Sequence, residues 1–294
     1  MLKALSSLLG GLTAIPAAKL RQFAQGIDDV TNARSATASI VAKAAGTEAI
    51  RDPLLARAAA EIYLPTSLRK ARNRLLVAQS ATDHISQANS DGASAQPPEE
   101  DWMNSFMKFA EDASSDRLQD LFGRILAGQV VRPGAFGSAT LRAVSELDQS
   151  IAEDFSYVWA RSVGLSVDCS EEFHRGEGFE RWKRLSEAGL MAPAEIAQFP
   201  PTFTPVMDGN GLWTPMQVDG AWLNVHFPEN CNGRWANIPF ARAGREIGSL
   251  LVKPDFENNM RAAGQRLTLQ GVTRVELCSI GRLPEIIFCQ GGVA

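Results

Sequence analysis

Arg69, Lys70, Arg72 and Arg74 stand within six residues. Such a density of positive charge suits phosphate, because nucleic-acid affinity rests on clustered Lys and Arg. On a helix each residue turns the chain by about 100°, so the four spread over more than one face. Arg69 and Arg72 are i, i+3 neighbours, and Lys70 and Arg74 are i, i+4 neighbours. Like charges at those spacings repel by roughly a few tenths of a kcal/mol. No aromatic residue is interleaved to stack on bases. The competing reading, which the pattern favours, is a solvated face or a dock for carboxylates such as Asp112, Asp116, Asp120, Glu153 and Asp154.

Other candidate chemistry is sparse. His174 lies near Glu171, Glu172 and Glu177, where an acid–base pair could be drawn, but a solvated charged loop explains the same residues. Cys169, Cys231, Cys278 and Cys289 form no CxxC, and the histidines are His84, His174 and His226. A structural zinc site is therefore not expected, and a reduced cytoplasmic chain is the simplest reading. There is no P-loop, no GxGxxG and no GxSxG. Gly209-Asn210-Gly211 reads as a turn, since no helix with a following Lys-Ser/Thr succeeds it. Trp213, Trp222 and Trp235 could line a groove, but aromatic residues on short strands are usually core. No catalytic residue, metal or cofactor is expected.

The net charge of −4 is unevenly spread. Residues 1–86 hold 11 Lys+Arg against 6 Asp+Glu, a net of +5, and residues 87–160 hold 5 against 12, a net of −7. A basic front beside an acidic middle suits self-docking or a partner for each face. No apolar run reaches the roughly 18–20 residues of a membrane span. Leu2, Leu5, Leu8, Leu9, Leu12 and Ile15 make a helical stripe, for which a signal peptide and an interfacial membrane helix are alternatives. Ser6, Ser7, Gly10, Gly11 and Thr13 dilute the first, and the lack of repeated Lys/Arg weakens the second, so a packing helix is expected.

The elements that would position these residues follow from periodicity. Residues 1–86 read as an N-terminal helical region, with Asp52 as a cap and Pro53 at the first helical position of its best helix. Residues 87–100, with Gly92 and Pro97-Pro98, form a linker. Residues 101–160 are a central helical block: Leu118, Leu121, Phe122, Ile125 and Leu126 fall on one stripe. Ser114 or Ser115 caps that helix, and Gly128 followed by Pro133 ends it. Ser138 and Asp148 start two further helices. Residues 161–252 form a winged-helix-like unit, in which the helix ending Ala188-Gly189-Leu190-Met191 precedes strands joined by Asp-Gly turns. Residues 253–294 hold a helix through Phe256, Met260, Ala263 and Leu267, then a hairpin turning at Gly281-Arg282-Leu283. In its first strand Thr273, Val275 and Leu277 are expected to be buried, and Arg274, Glu276 and Cys278 wet. The fold class is α+β, mainly α.

Asp101-Trp102, Ser114-Ser115-Asp116, Leu118-Gln119, Ile125-Leu126-Ala127-Gly128, Pro133-Gly134 and Thr140-Leu141-Arg142 stand in the order of a bacterial family called domain of unknown function 2806, which the chain resembles over about two thirds of its length. Phe122-Gly123 replaces that family's Trp-Ala, Gln129 replaces its Glu, and Ala139-Thr140-Leu141-Arg142 stands in place of its serine- and arginine-containing run. More distantly, Leu147 to Phe155 is similar to a helix of the abortive-infection alpha family. The resemblance implies a fold and no established activity.

The expected function is a non-enzymatic bacterial cytoplasmic interaction protein, with a link to phage defence or stress by family analogy. Its partner would be an unidentified protein or a second copy. The alternatives are a winged-helix nucleic-acid binder, whose helix before the strands offers Arg181, Lys183 and Arg184 beside Glu180 and Glu187, and an enzyme whose site is assembled between domains.

Overall fold

A computed structural model describes residues 53–88, 98–169, 173, 175–193, 211–228 and 233–290. The expected N-terminal stripe, the Asp52 cap, most of the linker, His174, Gly209-Asn210 and Cys231 lie outside them. The fold is α+β and mainly α. It divides between Ser145 and Glu146 into two units.

The first unit is helical. Its described elements are α1 (Pro53–Ala88), α2 (Glu100–Ala110), α3 (Asp116–Val131) and α4 (Ser138–Ser145). Ser115 caps α3, its hydroxyl accepting from the Leu118 N–H at 3.3 Å. The helix stops after Val131, three residues past Gly128. Asn73, Val77, Ala81 and Ile85 recur every four residues on α1 and are buried, the spacing of one helical face. That face meets α3 closely at Gly123, where a Cβ would come within 2.3 Å of Ser80 Oγ. The buried stripe of α3 is consequently rotated from the one expected. Phe122, Ile125 and Leu126 are buried, together with Gln119, Gly123 and Val130, while Leu118 and Leu121 are only half-buried. Trp102 stacks on Phe106 at 5.1 Å between ring centres, and Phe106 meets Phe122 edge-on at 5.7 Å. The Trp102 indole donates to the Phe136 carbonyl at 2.7 Å, which satisfies its buried N–H. Because α1 packs on α3, the proline-containing stretch 87–100 joins two parts of one unit.

The second unit begins with α5 (Gln149–Trp159), capped by Asp148, whose carboxylate accepts from the Ile151 N–H at 2.8 Å. A small antiparallel sheet of order β1-β2-β5 follows, from β1 (Ser162–Val163), β2 (Ser166–Asp168) and β5 (Asn237–Pro239). Between β2 and β5 lies α6 (Gly176–Glu187). Gly189, at φ +70°, reverses the chain after α6, and the Leu190 N–H reaches back to the Leu185 carbonyl at 2.9 Å. This glycine-dependent cap brings Met191 to an isolated bridge with Phe240.

The larger sheet has the order β3-β4-β6-β7, from β3 (Leu212–Val218), β4 (Ala221–His226), β6 (Arg274–Ser279) and β7 (Glu285–Cys289), all antiparallel. Asp219 (φ 50°) and Gly220 (φ 77°) make the two-residue turn between β3 and β4, as an Asp-Gly pair favours. Since β4 pairs with β6, the strands assigned from the sequence to 161–252 and to 253–294 share one sheet. Two further helices are α7 (Arg242–Gly248) and α8 (Phe256–Leu267). Met260, Ala263 and Leu267 of α8 bury against Leu223, Val225 and Val275. The far face of β6 is not wet as expected: Glu276 and Cys278 are buried. An inner strand has neighbours on both sides, and here Trp222 stands opposite Cys278, and Asn224 opposite Glu276.

Candidate functional site

The four cations of α1 separate into two pairs. Lys70 Nζ lies 2.7 Å from Glu111 Oε1 and 3.5 Å from Asp112, and Arg74 pairs with the other oxygen of Glu111. Asn73, between them in sequence, donates its amide to the Glu111 carbonyl at 3.0 Å. This half of the cluster faces the packed side of α1 and ends on the C-terminus of α2, where Glu111 is the C-cap. Arg69 and Arg72 are exposed on the other side. Near them Ile62, Tyr63, Leu68 and Leu75 are exposed large apolar residues, and Leu68, Arg72 and Leu75 are i, i+4, i+7 neighbours that share a stripe. Of the carboxylates expected to dock against the cations, Asp112 does so. Asp120 instead holds His84 at 2.8 Å and Arg124 at 2.9 Å. Burial works against its charge, but these two partners outweigh burial and hold its carboxyl below the usual value. Glu153 accepts from Gln149 at 2.8 Å. Asp154 is buried under Arg181 and Arg184 of α6, at 2.8 and 2.7 Å. Two of the three cations that α6 could offer to a nucleic acid are thereby engaged within the unit.

A second constellation went unread in the sequence. In the second unit a cleft of about 420 Å³ is lined by Ala160, Arg161, Val167, Asp168, Phe173 and four residues of α8. Those four are Asn258, Asn259, Ala262 and Arg266. Asp168 is buried. Its Oδ1 accepts from Trp235 Nε1 at 2.9 Å, and its Oδ2 receives Arg266 Nε at 2.7 Å and Nη2 at 2.6 Å. Burial pushes the Asp168 carboxyl up from its usual range against the pull of Arg266 and Trp235. Burial, helped by the Asp168 charge, also raises the neighbouring Cys169 thiol to about 11. A thiol in that state is a poor nucleophile near neutral pH. These partners lie 67 and 98 positions from Asp168, beyond the reach of spacing rules.

The model of the family described as "Protein of unknown function (DUF2806)" matches residues 68–196. Over those residues the chain is similar to this family. The DUF2806 segment runs from the second half of α1 to just past α6, a shorter stretch than the resemblance suggested. No curated protein and no solved structure matched the chain. Two of the departures from the DUF2806 pattern, Gly123 and Gln129, sit at packing positions. Gly123 lets α1 approach α3. Gln129 is buried, and its side-chain oxygen accepts from the Phe136 N–H at 3.0 Å. Among the described residues no group of three or more His, Cys, Asp or Glu is placed to hold a metal ion. No described helix is long and apolar enough to cross a membrane.

Proposed function

We propose that this chain is a non-enzymatic interaction protein of the bacterial cytoplasm, and that the outward face of α1 is where it meets a protein partner. The single observation behind this reading is the division of the basic cluster. Lys70 and Arg74 are held by Glu111, while Arg69 and Arg72 stand exposed beside Leu68 and Leu75. Two cations flanking apolar side chains suit a protein surface with an apolar strip rimmed by carboxylates, because such a partner covers the leucines as well as the charge. A phosphate backbone would use the arginines alone. The alternative of a winged-helix nucleic-acid binder loses two cations on α1 to Glu111 and two on α6 to Asp154. A role in phage defence or stress rests on the distant resemblance of Leu147 to Phe155 to the abortive-infection alpha family.

The test pairs two measurements. A photo-crosslinking residue at Leu68 or Leu75 in cells should capture one discrete protein species, and Arg69→Glu/Arg72→Glu should abolish the capture. A shift assay with duplex and single-stranded DNA and RNA should give no binding at physiological salt. Micromolar nucleic-acid binding that falls steeply with salt and vanishes in the double variant would overturn this reading in favour of the alternative.

A further inference from the structure

Hydrogen-bond accounting in the cleft of the second unit leaves donors in surplus, and we propose that it binds a small anionic molecule, a phosphorylated or carboxylated metabolite. Both oxygens of Asp168 are taken by Trp235 and Arg266. Arg266 spends Nε and Nη2 on that carboxylate, which leaves Nη1 and its two N–H groups. Arg161 donates through Nη1 to the Tyr157 carbonyl at 3.0 Å, and its guanidinium lies 3.5 Å from the centre of the Tyr157 ring. That stacking holds its plane in place, and Arg161 borders the cleft with Nε and Nη2 not engaged by Tyr157. Asn258 accepts from Arg261 through Oδ1 at 3.4 Å, so its NH2 group is the end left for a ligand. Asn259 is turned the other way. Its Nδ2 donates to the carbonyls of Ala160 and Ser162 at 2.9 and 2.8 Å, leaving Oδ1 as an acceptor for a ligand hydroxyl.

Among the described residues the charged groups that line the cleft are Arg161, Arg266 and Asp168, a formal sum of +1. A cationic ligand would face two guanidinium groups with the carboxylate already spent. An anion brings the acceptors that these donors lack, and Arg binds phosphate and carboxylate oxygens well because its N–H groups form a planar fork. Asn258, Ala262 and Arg266 follow i, i+4, i+8 on α8, so one face of a single helix presents them together. Ala160, Val167, Phe173 and Ala262 supply an apolar wall for the rest of the ligand. The volume falls in the range of small-molecule sites, roughly 300–1,000 Å³. Asp168 is satisfied without Arg161 or Asn258, so the N–H groups of these two that Tyr157 and Arg261 do not engage are not needed to neutralise it.

Calorimetric titration of the full chain tests this. The probes are AMP and inorganic phosphate for the phosphate class, citrate for the carboxylate class, and adenosine as an uncharged control. At least one anion should bind at a single saturable site with Kd on the order of 1 mM or tighter, more weakly as salt rises. Arg161→Gln and Asn258→Asp should each weaken it about 10-fold or more, and Ala262→Leu should block it by filling the cleft. Thermal unfolding of each variant, unchanged from the parent, would separate loss of binding from loss of fold. The proposal is overturned if none of the three anions saturates by about 10 mM. It is equally overturned if adenosine binds as tightly as AMP, or if binding survives all three substitutions. None of these variants touches α1, so the outcome is independent of the partner reading.

Discussion

Cys169 and Gln129 show how one side chain's surroundings decide its chemistry. Burial and the adjacent Asp168 raise the Cys169 thiol to about 11, so little thiolate exists at neutral pH. Alkylation of Cys169, followed by peptide mass spectrometry, should therefore rise roughly 10-fold per pH unit from pH 8 to pH 10. A plateau below pH 9 would contradict the burial argument. Gln129 occupies a position where the DUF2806 pattern has Glu, a residue type that invites an acid–base role. Here its oxygen satisfies the buried Phe136 N–H, and a neutral amide does so without desolvating a charge. Gln129→Ala should cost about 1–3 kcal/mol by orphaning that N–H, measured by chemical denaturation. A loss within experimental error would mean that Phe136 finds another acceptor.

At the scale of elements, close approach and ion pairing set which faces are buried. The α1–α3 contact depends on Gly123, since a Cβ there would lie 2.3 Å from Ser80 Oγ and 2.6 Å from Ser80 Cβ. Gly123→Ala should destabilise by about 1–3 kcal/mol through overpacking, even though alanine is the better helix former. A double-mutant cycle with Ser80→Gly should show the two changes coupled, each costing less in the other's presence. Strict additivity would place the strain elsewhere. Farther along, Arg261 of α8 reaches both oxygens of Glu285 on β7 at 2.7 Å. That hydrogen-bonded guanidinium holds the Glu285 carboxyl below its ordinary 4.5. A carboxyl with a lower folded than unfolded pKa contributes stability above the unfolded value, and the contribution fades as pH falls through the folded one. The stability gap between the parent and Glu285→Gln should thus be present at pH 7 and close below pH 4.5. It should be small, because Glu285 is half-exposed and water screens the pair. A gap that widens in acid would reverse the sign of this coupling.

Across the whole molecule, the proline-containing stretch is where chain organisation and packing part company. Its small polar composition predicts that mild proteolysis cuts first within 87–100. Yet α1 on one side of it packs against α3 on the other, with Lys70 and Arg74 bound to Glu111 and His84 to Asp120. The nicked fragments should therefore co-elute on size exclusion and separate only in denaturant. Dissociation without denaturant would show that the α1–α3 packing is too weak to hold the unit together.

Local chemistry and periodicity were enough to read the helices between residues 100 and 159, the caps at Ser115 and Asp148, the Asp-Gly turn and the similarity to DUF2806, because each depends on neighbours within a few residues. The division of the four cations onto more than one face was legible for the same reason, as the helical angle separates Arg69 and Arg72 from Lys70 and Arg74. Which carboxylate receives which cation was not. Glu111 receives Lys70 and Arg74, whereas Asp154, one of the expected docks, pairs with Arg181 and Arg184. The rotated stripe of α3, the dry far face of β6 and the cleft around Asp168 were likewise decided by tertiary structure. In each case the deciding neighbour is distant in sequence, whether Ser80 against Gly123, Trp222 opposite Cys278, or Arg266 on Asp168. No repeat or spacing encodes such a neighbour, because chain folding alone brings the pair together.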